Sequence, residues 1–193
     1  MEALWPARCP ESPGWFARLL APEIFLLGSP RMHKEKMFIV LVEDTERHVE
    51  SALRQFAGNK FGVCRTATEA EDLLRAIAEG MIEAPDLILS DMFVRVGIGL
   101  GSQDTDRLIL AGLAVAAAAG QLGVPCLVLT DGGGDHHPLC RMLAPLLEKG
   151  SDSLAVRSVP VLGESDGKNW ALALRSWPEA PLPVRVLAET ALP

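Results

Sequence analysis

The run MFIVLV, residues 37–42, contains no polar side chain and is cut off by Glu43-Asp44. A stretch that apolar fits a strand buried on both faces, the kind found in parallel sheets covered by helices. Four more short runs follow: FGVCRTA (61–67), PDLILSDMF (85–93), VPCLVLTD (124–131) and SLAVRSV (153–159). Helical patterns separate them. TERHVESALRQFA (45–57) repeats apolar residues at Val49, Leu53 and Phe56, with Thr45 placed to cap its start and Gly58-Asn59 to stop it. TATEAEDLLRAIAEG (66–80) opens with T-x-x-E and closes on Gly80. RLILAGLAVAAAAGQLG (107–123) reads as a helix apolar on most sides. GGGDHHPLCRMLAPLLEKG (132–150) reads as a loop and then a helix with Pro145 inside it. GKNWALALRSW (167–177) gives a last short helix, with Trp170 and Trp177 expected to pack on the sheet. This alternation predicts an α/β fold: a doubly wound, five-stranded parallel sheet with helices on both faces and right-handed crossovers.

A chain of 193 residues fits one domain of roughly 100–200 residues with extensions. Residues 1–35 carry five prolines and no clean period, so they read as an N-terminal extension. Met32 and Met37 stand at the approach to the first strong signal, which raises the expectation that part of this segment is a start-site artefact. The domain spans 36–177, and 178–193 reads as a proline-spaced tail. Apolar residues make up 49% of the chain, enough for a core. The net charge of −7 and the lack of any Lys/Arg run argue against a nucleic-acid surface. The longest apolar run, LILAGLAVAAAAG, has 13 residues, short of the about 20 needed to span a bilayer. The N-terminus has Glu2 and interrupting prolines where a signal peptide would have a basic cluster. None of the four cysteines sits in a CxxC pair, which favours a reducing, cytoplasmic compartment.

In an open parallel sheet, ligands bind beyond the carboxyl ends of the strands. This sequence places Glu43 and Asp44 at the end of strand one, Asp91 at the end of strand three, and Thr130 and Asp131 at the end of strand four. Arg157 stands in strand five. Glu43, Asp44 and Asp91 on one edge repel unless something compensates. A hard divalent cation such as Mg2+, which takes one or two carboxylates plus a phosphoryl group, would do so. With Mg2+ held there, Asp91 is placed to attack a phosphoryl donor and form an aspartyl-phosphate.

The stretches FIVLVEDT, PDLILSDMF, VPCLVLTD and KGSDSLAVR, in that order and spacing, resemble the receiver domain of two-component response regulators. The resemblance covers roughly residues 37–177 and implies a flavodoxin-like sheet. It implies an acidic pair at Glu43 and Asp44, a phosphoacceptor at Asp91, a metal-ligating backbone carbonyl at Phe93 and a pocket hydroxyl at Thr130. It also implies Mg2+ as cofactor, a histidine kinase or phosphotransfer protein as donor, and a downstream protein partner. There are departures. The family carries a lysine, usually followed by proline, at the end of strand five, where this chain has Arg157 and Ser158. Its aromatic switch position holds Leu154, the loop after the phosphoacceptor is longer and glycine-rich, and Asp131 follows Thr130 where a small residue is typical.

Two further readings stand beside this one. A degenerate receiver would act as an interaction or homodimerisation module independent of phosphate. A metal-dependent phosphohydrolase would use the DGGGDHH loop, with Asp135, His136 and His137. The bland reading of that loop is a helix-capping segment with Asp135 as the cap.

Overall fold

The structure is a computed structural model that describes residues 36–97, 108–130, 154–158, 167–177 and 180–191, apart from the side chains of Thr130, Leu154, Arg157, Ser158, Leu182 and Pro183. All belong to one compact unit, Glu35–Pro193. The extension 1–35, the loop-and-helix segment 131–150 and the loop at 98–107 lie outside the described residues.

The described elements run in the order β1 (Phe38–Val42), α1 (Glu46–Gln55), β2 (Lys60–Cys64), α2 (Ala67–Ala78), β3 (Leu87–Asp91), β4 (Val94–Arg95), β5 (Leu108–Ile109), α3 (Ala111–Gln121), β6 (Cys126–Thr130), β7 (Leu154–Ser158), α4 (Trp170–Arg175) and α5 (Leu182–Thr190). Five strands form one sheet in the order β2-β1-β3-β6-β7, with every pair parallel. This is the predicted five-stranded α/β sheet in a flavodoxin-like arrangement. The strand order reverses at β1, so the crevice for a ligand opens at the carboxyl ends of β1 and β3. Those ends lie side by side, because Val42 pairs with Ser90.

The period-2 alternation of the strands sorts their side chains into two cores. Ile39, Leu41, Leu87, Leu89, Leu127 and Leu129 pack with α1, α4 and α5. Val40, Val42, Ile88, Cys126 and Val128 pack with α2 and α3. Both faces are therefore covered, which is why the strands read as continuous apolar runs. Trp170 and Trp177 sit in the first core, as expected from the sequence.

Four local expectations need correction. Thr45 occupies the N-cap position of α1 but makes no side-chain cap; its Oγ1 donates instead to Asp44 Oδ1 at 3.2 Å. Thr66, by contrast, caps α2 by accepting from the Glu69 N–H. The expected stripe holds at Val49 and Phe56 and fails at Leu53, which is exposed; His48, Ser51 and Ala52 complete the buried face. The helix is turned that way because polar groups on its inward side hold the 167–171 segment, as described below. The third helix starts at Ala111 rather than Arg107, because Leu108–Ile109 instead form an antiparallel two-residue ribbon with Val94–Arg95. Finally, the proline-spaced tail contains α5, whose Val184, Leu187 and Ala188 complete the first core.

Candidate functional site

The site grows from the ends of β1 and β3. Buried strands hold their termini rigidly, and here two adjacent termini each deliver carboxylates. Ligand oxygens of Glu43, Asp44 and Asp91 all lie within 4.8 Å of one another. The three acids singled out from the sequence are thus brought together.

Each acid has its own surroundings. Glu43 is fully buried. Its Oε1 accepts the Thr45 N–H at 3.0 Å, and its Oε2 accepts from Lys168 Nζ at 2.7 Å. Asp91 sits at the mouth, with its side chain 14% exposed. Its Oδ1 accepts the Met92 N–H at 2.7 Å and lies 2.8 Å from Lys168 Nζ. Asp44 Oδ2 accepts the Arg95 backbone N–H and lies 3.3 Å from Arg95 Nε.

Lys168 is the residue of this cluster that the sequence reading missed. The receiver resemblance put the pocket cation on Arg157. The structure places Arg157 in β7, level with Leu129, and its side chain lies outside the described residues. Among the described residues, the buried cation that touches Glu43 and Asp91 is Lys168, 1% exposed, on the segment entering α4. A signal was present in GKNW. Asn169 caps α4 by accepting the Leu172 N–H, and a lysine beside a helix N-terminus meets the positive end of the helix dipole. A lysine in that place needs carboxylate partners.

Helix α1 fixes where Lys168 stands. Its backbone carbonyl accepts from Ser51 Oγ at 2.9 Å and from Gln55 Nε2 at 2.8 Å. Gln55 Oε1 in turn accepts the Ala171 N–H at 2.8 Å, and Trp170 Nε1 donates to the His48 carbonyl at 3.1 Å. Gly167 sits at φ +75°, where a Cβ would come within 2.6 Å of the Arg47 carbonyl oxygen. Only glycine lets the chain pass that close to α1 in that conformation. On the opposite side, Gly112 lets α3 approach β3: a Cβ there would collide with the Asp91 carbonyl oxygen, Met92 Cα and Val128.

Of the remaining sequence-derived candidates, Thr130 ends β6, one residue beyond Leu129, the register partner of Asp91. Its side chain lies outside the described residues. Phe93 follows Asp91 by two positions, and its ring packs partly buried against the second core. Asp131, Asp135, His136 and His137 lie outside the described residues.

The Glu43 carboxyl is raised from 4.5 to about 7: burial pushes it up most, the Lys168 ammonium offsets part of that, and the Asp91 carboxylate adds to the rise. For Lys168, burial works against the charged form, but Glu43 and Asp91 outweigh it and hold its pKa above 10.5. The sign of the pH effect follows. A carboxyl whose folded pKa exceeds its unfolded value binds its proton more tightly in the folded state. Its stability contribution is complete below about 4.5 and is lost as pH rises through about 7. The protein is therefore expected to lose on the order of 3 kcal/mol across that window. Urea unfolding at a series of pH values should show this slope, and Glu43→Gln should flatten it. A slope that persists in Glu43→Gln would assign it to another group.

No protein-family model matches the chain, and no curated protein does. A solved structure described as the trimeric coiled coil of yeast Spc42, amino acids 181–211, fused to another structure, is similar to it at 19% identity. The match covers 65% of this chain and 69% of that one, with a TM-score of 0.40. Neither fold nor activity is carried over from it. Among the described residues, no helix is long and apolar enough to cross a membrane.

Proposed function

We propose that this domain is a receiver-like phosphoacceptor, in which Asp91 takes a phosphoryl group from a histidine kinase or phosphotransfer protein and output is a protein–protein contact. One observation carries the reading: a partly exposed aspartate lies within 4.8 Å of two further carboxylates and 2.8 Å from a buried lysine ammonium. Structural acid clusters at strand ends are common. A buried lysine aimed at one of them, and held from behind by Ser51 and Gln55, is a costly arrangement, and phosphoryl transfer gives it a use.

The residues fit a hard divalent cation. Glu43, Asp44 and Asp91 offer only carboxylate oxygens, the ligand type Mg2+ prefers. These three, with the Phe93 carbonyl that the family resemblance adds, are the residues proposed to hold it. Bound there, Mg2+ would supply positive charge against the phosphoryl oxygens. The chain's own groups do the rest. An Asp91 carboxylate oxygen forms a bond to phosphorus as the bond to the donor's leaving group breaks, and the leaving group departs with the electron pair. Lys168 orients Asp91 beforehand and faces the transferred oxygens afterwards, a fixed charge that needs no reorganisation during the reaction. Lys168 therefore takes the cation role that the sequence reading gave to Arg157. Thr130, one step beyond the level of Asp91, is proposed as the hydroxyl that donates to the same oxygens.

The test is an intact-mass measurement after incubation with Mg2+ and acetyl phosphate. Wild type is expected to gain one phosphoryl group and Asp91→Asn none. No gain in wild type overturns the reading. That result would favour the second one, a phosphate-independent interaction module, which is supported by Leu154 at the aromatic switch position and by the β4–β5 ribbon that follows Asp91.

A further inference from the structure

We infer that Arg95 competes with the divalent cation for Asp44, so that cation binding and attachment of the β4–β5 ribbon to the acidic site exclude each other. The inference deepens the phosphoacceptor reading and rests on it for the cation. It starts from how Asp44 is used. Its side chain is 7% exposed, and both carboxylate oxygens are engaged. Oδ1 accepts from Thr45 Oγ1. Oδ2 accepts the Arg95 backbone N–H and faces Arg95 Nε, both at 3.3 Å. A carboxylate oxygen has about two lone-pair directions, and Arg95 takes both of those on Oδ2. A cation that coordinates this oxygen must displace at least one of them.

Arg95 is suited to being displaced. Its side chain is 52% exposed, so the guanidinium can leave Asp44 and stay hydrated. Lys168 is the opposite case: it is buried, and it pairs with Glu43 and Asp91. Of the two cations that contact the acids among the described residues, one is fixed and one is exchangeable. Arg95 is also half of β4, where it pairs with Leu108 and Val94 pairs with Ile109. The ribbon stays anchored to the second core by the buried Val94, and the next residues by the Val96 carbonyl that accepts from Thr68, so exchange at Asp44 frees the Arg95 end and not the whole segment. Loss of the Arg95–Asp44 link carries the state of the acidic site to the exposed Leu108 and Ile109. The coupling runs both ways: whatever holds the ribbon down weakens the cation by the same factor.

The experiment is a calorimetric Mg2+ titration of the full chain as wild type, Arg95→Ala, Arg95→Gln and Arg95→Lys. Arg95→Ala and Arg95→Gln are expected to bind Mg2+ about three- to tenfold more tightly than wild type, and the difference should shrink in high salt. Arg95→Lys keeps the charge and should return affinity towards wild type. A merely structural role for Arg95 would not produce that order. Affinities in Arg95→Ala and Arg95→Gln equal to or weaker than wild type, or no Mg2+ binding by any of the four proteins, overturn the inference. The acetyl phosphate measurement on wild type reads out separately. The predicted affinity order without a mass gain keeps the inference and removes the phosphoacceptor. A mass gain with equal affinities does the reverse.

Discussion

Lys168→Met is expected to destabilise the protein by about 3–5 kcal/mol, the usual cost of removing one partner from a buried ion pair. Glu43 and Lys168 are 0% and 1% exposed, and Lys168 also reaches Asp91 at 2.8 Å. Without the ammonium, a fully buried carboxylate stands beside a second carboxylate. Glu43 then regains neutrality only by holding its proton, so the loss should be greater at pH 8 than at pH 5. The exposed Arg75–Glu71 pair has the same 2.7 Å separation, yet pairs of that kind are worth about 0.2–1 kcal/mol. Burial, not distance, separates the two cases. Denaturant unfolding of Lys168→Met, Glu43→Gln and the double variant tests this. The double variant should recover part of the loss, because neither charge is left unpartnered. A Lys168→Met protein within about 1 kcal/mol of wild type would mean that the pair is not buried in solution.

Trp170→Ala should cost a similar amount, about 3–5 kcal/mol, for a different reason. Trp170 is fully buried in the core shared by α1, α4, α5 and the sheet. Truncation leaves a cavity there and deprives the His48 carbonyl of the indole N–H, 3.1 Å away. Trp170→Phe keeps most of the volume and loses one hydrogen bond to a carbonyl that stays within helix α1, so its cost should be nearer about 1 kcal/mol. The ring centre also lies 5.5 Å from Lys168 Nζ. Removing the indole therefore loosens the ammonium that faces Asp91, and Trp170→Ala combined with Lys168→Met should fall short of the sum of the two losses. Strict additivity would separate the tryptophan from the site.

The strands were legible because both faces of the sheet are covered, and full burial writes itself as an unbroken apolar run such as FIVLV. The acids were legible for a related reason: a carboxylate that closes such a run can only stand at the strand's end, and parallel strands put all their ends on one edge. Lys168 was not legible by position, since the chain between β7 and α4 decides which cation returns to that edge, and no periodic pattern governs such a connection. The β4–β5 ribbon was hidden because Leu108-Ile109 continues the apolar pattern of α3, and two residues are too few to display a period of their own. Leu53 misled because it falls at helical spacing, whereas the face of α1 that turns inward is chosen by Ser51 and Gln55 gripping Lys168. The α5 helix was hidden by the prolines around it, of which Pro183 falls in its first turn, where a missing N–H costs nothing.

The Glu43–Lys168 contact joins positions 125 residues apart, and this bears on synthesis. The acids leave the ribosome long before their cation does. A growing chain that has made β1 and β3 but not Gly167-Lys168 can bury Glu43 only by protonating it, so burial of this edge is disfavoured until the lysine arrives. Closure then waits for the last helices, which bring both the missing positive charge and the tryptophan that seals it in. The pocket's cation and the tryptophan beside it thus reach this edge together, on one short segment made long after the acids.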